Sequence, residues 1–172
     1  MTIGGHPFPP RRARLERLLE QLRDGLVSGR TLAGCRILPW RGALLICREA
    51  QAIEEEALLA PGVPLRWDGR FRIQLNGKAA LTVRALGRTG TRALGVGSIR
   101  VLPAPVRPSL PSLWHREQLV AVPHLGLLLP SLKGRATIAV RFNPASPLAG
   151  APFHPDGSRT SRPLLRSAEI LC

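Results

Sequence analysis

Arg70-Phe71-Arg72-Ile73-Gln74-Leu75-Asn76-Gly77 alternates polar and apolar side chains over six residues and then breaks. Period-two alternation is the mark of a strand with one face buried. Phe71, Ile73 and Leu75 belong to the core face, and Arg70, Arg72 and Gln74 to the solvent face. Asn-Gly is a strong signal for a two-residue hairpin turn. The following run, Leu81–Leu86, reads as the returning strand, with Leu81, Val83 and either Ala85 or Leu86 turned inward.

Outward from this segment the pattern stays strand-like. Thr31–Leu38 and Ala43–Arg48 read as a hairpin around Trp40-Arg41-Gly42. Leu119–Val122 and Thr137–Arg141 are two further strands. Glu54-Glu55-Glu56 reads as a solvated loop or short helical edge. Residues 87–111 are rich in glycine, proline and arginine, and Ala93–Leu102 has room for one helical turn. One helix opens the chain. Pro9 and Pro10 suit a first turn, Leu15, Leu18, Leu19 and Leu22 repeat at helical spacing, and Gly25 is the stop. The fold class is therefore α+β: a short N-terminal amphipathic helix, then a mostly antiparallel β domain, then a flexible tail. The expected divisions are 1–29 for the helical segment, 30–142 for the β domain and 143–172 for a Pro/Gly/Ser-rich tail.

Composition agrees. The 172 residues include 17 Gly and 17 Pro, too many breakers for a helical bundle. Apolar residues make up 44%, enough for a core. The longest apolar stretch, Leu119 to Leu132, is interrupted by Pro123, His124, Gly126 and Pro130 and falls short of a bilayer span. The expectation is a soluble, cytoplasmic protein. Cys35, Cys47 and Cys172 are too few for a disulfide framework. Cys35 and Cys47 flank Arg41 symmetrically and could face each other across the first hairpin, although two small buried apolar residues is the simpler reading.

Charge carries the functional signal. The formal net charge is +14, and only Lys78 and Lys133 among the 25 basic residues are lysine. Base composition explains arginine over lysine; it does not explain the scarcity of acids. Between Asp68 and Glu117 there is no acidic residue. Arg84, Arg88, Arg92, Arg100 and Arg107 fall in that interval around predicted turns, and Arg116 ends it. Unpaired like charges repel until an anion arrives, so these six are the candidate nucleic-acid-binding residues. Arg70 and Arg72 are equally well read as the ordinary charge of a solvated sheet face. Trp114, beside His115 and Arg116, could stack on a base, but more often such a residue covers the edge of a core.

Catalytic signatures are missing. No G-x-x-x-x-G-K-[ST] or G-x-G-x-x-G loop is present, nor a G-x-S-x-G elbow. His6, His115, His124 and His154 have no Cys, His or acid at metal-ligand spacing. No catalytic residue, metal site or bound cofactor is expected of this chain.

An ordered set of segments carries a resemblance. It begins with Pro9-Pro10-Arg11-Arg12-Ala13-Arg14-Leu15-Glu16-Arg17-Leu18-Leu19, then Thr31-Leu32-Ala33-Gly34-Cys35 and Ile46-Cys47-Arg48-Glu49. Trp67-Asp68-Gly69-Arg70-Phe71 and Leu81-Thr82-Val83-Arg84-Ala85-Leu86-Gly87 follow. Leu102-Pro103-Ala104-Pro105-Val106-Arg107-Pro108-Ser109-Leu110-Pro111 then leads into Leu113-Trp114 and Leu119-Val120-Ala121-Val122-Pro123-His124-Leu125-Gly126. Phe142-Asn143-Pro144 and Pro147-Leu148-Ala149-Gly150 complete it. Together they resemble the C-terminal region of bacterial tRNA(Ile)-lysidine synthase, in its alphaproteobacterial form.

That family uses ATP to join lysine to the wobble cytidine of an isoleucine tRNA. Its catalysis belongs to an N-terminal ATP-pyrophosphatase domain with a Ser-Gly-Gly-x-Asp-Ser loop, which this sequence does not contain. The resemblance implies a part of a ligase that does not itself adenylate cytidine. It would help hold the tRNA body while a separate catalytic domain uses ATP and lysine. Arg84, Arg88, Arg92, Arg100 and Arg107 would then face phosphates. The alternative is a basic protein-interaction or assembly module that docks on an acidic partner domain.

Overall fold

The computed structural model describes residues 2–5, 8–25, 28–94, 102–145 and 168–170. The chain forms two compact units, residues 1–48 with 145–172, and residues 49–144.

In the first unit, helix α1 spans Arg12–Arg23. Its amide groups begin bonding at the Arg11 carbonyl, and Arg12 pairs with Glu16 one turn on at 2.7 Å. Asp24 caps the end and Gly25 follows at φ +83°, so the helix stops where the glycine foretold. No α1 residue is buried; Leu15 is 40% and Leu19 51% exposed.

Three strands follow as a meander: β1 (Arg30–Leu32), β2 (Cys35–Trp40) and β3 (Ala43–Arg48). Ala33-Gly34 and Arg41-Gly42 link them, each pair with both residues at positive φ. Such left-handed pairs match the natural twist of the strands they join. The expected single strand Thr31–Leu38 is therefore two strands. Short β-favouring runs on either side of Ala33-Gly34 hide the turn. The register also corrects the cysteine reading: Cys35 lies opposite Arg48, and Cys47 opposite Arg36. The turn centres between Arg41 and Gly42, not on Arg41, so the two cysteines point to opposite faces. Neither is joined in a disulfide. Ala168–Ile170 (β12 in chain order) pairs parallel with β3; the rest of the expected tail beyond residue 145 lies outside the described residues.

The second unit contains two antiparallel sheets. One is ordered β10-β9-β8-β7-β4, with β4 Ala57–Leu59, β7 Leu81–Ala85, β8 Pro111–His115, β9 Gln118–Val122 and β10 Leu127–Leu128. The other is ordered β11-β6-β5, with β5 Leu65–Trp67, β6 Phe71–Asn76 and β11 Thr137–Phe142. Strand β6 alternates as its sequence requires, with Phe71, Ile73 and Leu75 buried and Arg72, Gln74 and Asn76 exposed. Its inner face meets Leu59, Leu81, Val83, Leu113 and Val120 in one core that both sheets share. Full burial of such side chains contributes roughly 1.5–3 kcal/mol each.

Two expectations fail here. Strands β6 and β7 are not a hairpin: β6 is bordered by β5 and β11, and the chain crosses at 77–80 to the facing sheet. Leu81 and Val83 point into the core either way, so alternation cannot tell pairing beside β6 from packing across it. Gly77 serves close approach instead of a left-handed turn; a Cβ there would lie 3.2 Å from the Ala136 Cβ. Strand β8 is unforeseen, because its first residue is Pro111, tolerated where a strand begins.

A candidate nucleic-acid interface

Two of the sequence-selected arginines, Arg88 and Arg92, lie on a short helix. Helix α2 spans Gly87–Ala93 and lies over the outer face of β7 and β8. Gly90 is its contact point: a Cβ there would come within 2.6 Å of Leu86 and 3.6 Å of the Trp114 ring. Leu86, Leu94, Val106 and Leu110 are buried beside it. This anchoring leaves Arg88 and Arg92, four residues apart, exposed on one side of the helix. No ion pair of either is found among the described residues.

The remaining candidates differ. Arg84 was expected to lack acidic partners, but it has two, Glu56 at 3.4 Å and Glu117 at 3.6 Å. Both come from outside the acid-free interval, brought in by the fold. The Arg84 guanidinium also covers the Trp114 ring at 3.9 Å. Trp114 is 8% exposed and its Nε1 donates to the Ser112 hydroxyl, so it caps a core edge and presents no open ring face. Arg107 is half-buried in the 3₁₀ turn Arg107–Ser109 and donates to the Leu102 carbonyl at 2.9 Å. Arg116 is exposed in the β8–β9 turn at φ +54°. Arg100 lies outside the described residues. Of the five candidates among the described residues, Arg88, Arg92 and Arg116 thus stand out in solvent.

Arg70 also departs from its reading. It is 2% exposed, not part of the solvent face, and its Nε meets Asp68 Oδ2 at 2.6 Å. It also donates to the Ser109 carbonyl and lies 4.8 Å over the Phe71 ring. Asp68 sits at φ +49° in the β5–β6 turn, its own amide held by a Glu55 carboxylate. His124, in the 3₁₀ turn Pro123–Leu125, packs edge-on against the same Phe71 ring at 5.3 Å. Burial first, and the Arg70 charge second, lower its pKa below the ordinary 6.5.

That shift has a signed consequence. Above pH 6.5 the imidazole is neutral folded or unfolded, and the contact is undisturbed. As pH falls below 6.5 the unfolded chain takes up the proton first, so stability declines until the folded pKa is passed. The urea midpoint should therefore drop between pH 7.5 and 5, and the drop should shrink in His124→Phe. Equal slopes in both proteins would remove His124 as the cause.

Sequence reasoning missed a second basic feature. Arg66 lies directly opposite Arg72, and Arg72 directly opposite Arg141, across β5, β6 and β11. All three are exposed. Only the strand register could have revealed them, because Arg66 and Arg141 are far apart in sequence. A cleft of about 750 Å³ lies in the same unit, floored by Leu75, Leu81 and Val120 and rimmed by Lys78, His115 and Arg135. Among the described residues no three His, Cys, Asp or Glu side chains group as a metal site, and no helix is long and apolar enough to cross a membrane.

The class these features define is a small antiparallel β module with arginines displayed on more than one surface. Comparison with known proteins gives its kinship. Over 119 residues the chain is 45% identical to the tRNA(Ile)-lysidine synthase of Caulobacter vibrioides, covering 66% of this chain. Over 125 residues it is 34% identical to the tRNA(Ile)-lysidine synthase of Ruegeria pomeroyi, covering 73% of this chain. The chain shares a region with the tRNA(Ile)-lysidine synthases, and the resemblance carried by its ordered segments is real. It spans 29% of the length of each of these relatives. No family model and no solved structure matches it.

Proposed function

We propose that this chain is the non-catalytic, C-terminal part of a tRNA(Ile)-lysidine synthase, acting in the cytoplasm. It holds the body of an isoleucine tRNA while a separate ATP-pyrophosphatase domain uses ATP and lysine at the wobble cytidine. The observation that carries this reading is the exposed trio Arg88, Arg92 and Arg116 on a unit whose relatives are named for a tRNA modification. Arginine forks match phosphate oxygens. Backbone contacts of this kind fix position and carry little sequence information, so recognition is of shape.

The test is binding of the purified chain to folded isoleucine tRNA and to a scrambled RNA of equal length across a salt series. Three phosphate contacts give a log–log slope of at least about −2, at ~0.7–0.9 per phosphate. Preference for the folded tRNA supports the proposal. Equal affinity for both RNAs, or no binding, rejects it.

A second reading, docking on an acidic partner domain, is favoured by Arg84, which already holds the carboxylates of Glu56 and Glu117. It requires polyglutamate to displace the tRNA at matched charge.

A further inference from the structure

Arg66, Arg72 and Arg141 form a straight row across the three-stranded sheet. Directly opposed residues of antiparallel strands have Cβ atoms about 4.5–5.5 Å apart and project from the same face. The row is therefore roughly 10 Å long from its first strand to its third. Like charges placed so closely destabilise a sheet. Arg66 donates to the Asn143 carbonyl at 3.0 Å, a contact that neutralises nothing. The other outward residues of these strands are Gln74, Asn76, Thr137 and Ala139. None is acidic, and only Ala139 is apolar.

Such a face is poorly suited to a protein partner, which would need an apolar centre to bury. It suits a chain of phosphates. Three guanidinium forks projecting from one face can each grip one phosphate, while the amides of Gln74 and Asn76 remain for ribose hydroxyls. The face also points away from the core that β6 shares with β7 and β8, whereas Arg84 and helix α2 lie on the outer side of the β7–β8 sheet. The two basic surfaces are thus separate.

We infer that the Arg66–Arg72–Arg141 row is an RNA-backbone site that takes consecutive phosphates of one strand. This inference rests on the tRNA-holding reading and adds a second, independent contact face to it. Six contacts, three from the row and three from Arg88, Arg92 and Arg116, set the full slope at about −4 to −5.

The experiment compares the unsubstituted chain, R66Q/R72Q/R141Q, Arg72→Gln alone and R88Q/R92Q, each titrated with folded isoleucine tRNA over a salt series. The triple variant should lose about 2–3 units of slope, and Arg72→Gln about one. Its melting temperature should hold or rise, because opposed like charges have been removed. If the triple variant keeps the full slope while R88Q/R92Q lowers it, the row is not a contact and only this inference falls. If the unsubstituted chain binds no tRNA, both readings fall. If polyglutamate binds as tightly as tRNA through the same three arginines, the phosphate assignment is overturned. Should the triple variant not fold, an unchanged slope in Arg72→Gln overturns the inference by itself.

Discussion

Asp68→Asn should destabilise the unit of residues 49–144 by about 3–5 kcal/mol, the usual penalty for stripping one partner from a buried ion pair. Asparagine tolerates the left-handed backbone that Asp68 adopts at φ +49°, so the turn itself is preserved. What disappears is the charge opposite Arg70, whose side chain is 2% exposed and 2.6 Å away. The bond to the Ser109 carbonyl and the packing over the Phe71 ring do not replace the lost carboxylate charge. Replacing both partners, as in D68N/R70M, should recover much of the loss, because no uncompensated charge stays buried. Denaturant unfolding of the single and double variants measures this, read in the transition of that unit, since two units need not unfold together. A loss under about 1 kcal/mol in Asp68→Asn would equal a surface pair and refute the argument.

Phe71→Ala is the second large effect. Phe71 is 1% exposed and its ring meets Trp67 at 6.1 Å, His124 at 5.3 Å and Phe142 at 5.7 Å. Truncating such an aromatic costs about 3–5 kcal/mol through lost transfer energy and the cavity left behind. The substitution also admits water to His124. The fall in stability below pH 6.5 should therefore weaken in the same variant, giving a readout that simple core loss does not move. A cost below about 2 kcal/mol would mean that the neighbouring rings collapse into the space. An unaltered pH slope would mean that Phe71 does not shield the imidazole.

Legibility divided along a physical line. Features set by local order were readable: the leucine spacing and glycine stop of α1, and the alternation of β6. Features set by register were not. Asn76-Gly77 read as a hairpin because the core-facing pattern of Leu81 and Val83 is the same in a paired strand and in a facing sheet. Ala33-Gly34 turned the chain inside what looked like one strand. Arg70 continued the polar phase of its neighbours, yet Asp68, two residues earlier, drew it into the interior. At the candidate interface, the absence of acids between Asp68 and Glu117 led to Arg88, Arg92 and Arg116. It misjudged Arg84, since Glu56 and Glu117 approach only through the fold. The arginine row was invisible, because it exists only once β5 and β11 border β6.

The placing of Trp114 beneath the Arg84 guanidinium has a spectroscopic consequence. The chain contains three tryptophans and no tyrosine, so its near-ultraviolet emission comes almost wholly from indole. Trp40 belongs to the first unit, while Trp67 and Trp114 belong to the second. Trp67 is fully enclosed, with its Nε1 donating to the Glu55 carbonyl, and therefore emits from an apolar setting. Trp114 carries a fixed cation 3.9 Å above its ring. An anion that drew Arg84 aside would change the field at that indole while leaving Trp67 untouched. The protein thus carries its own optical probe at the edge of one basic surface, and needs no attached dye there.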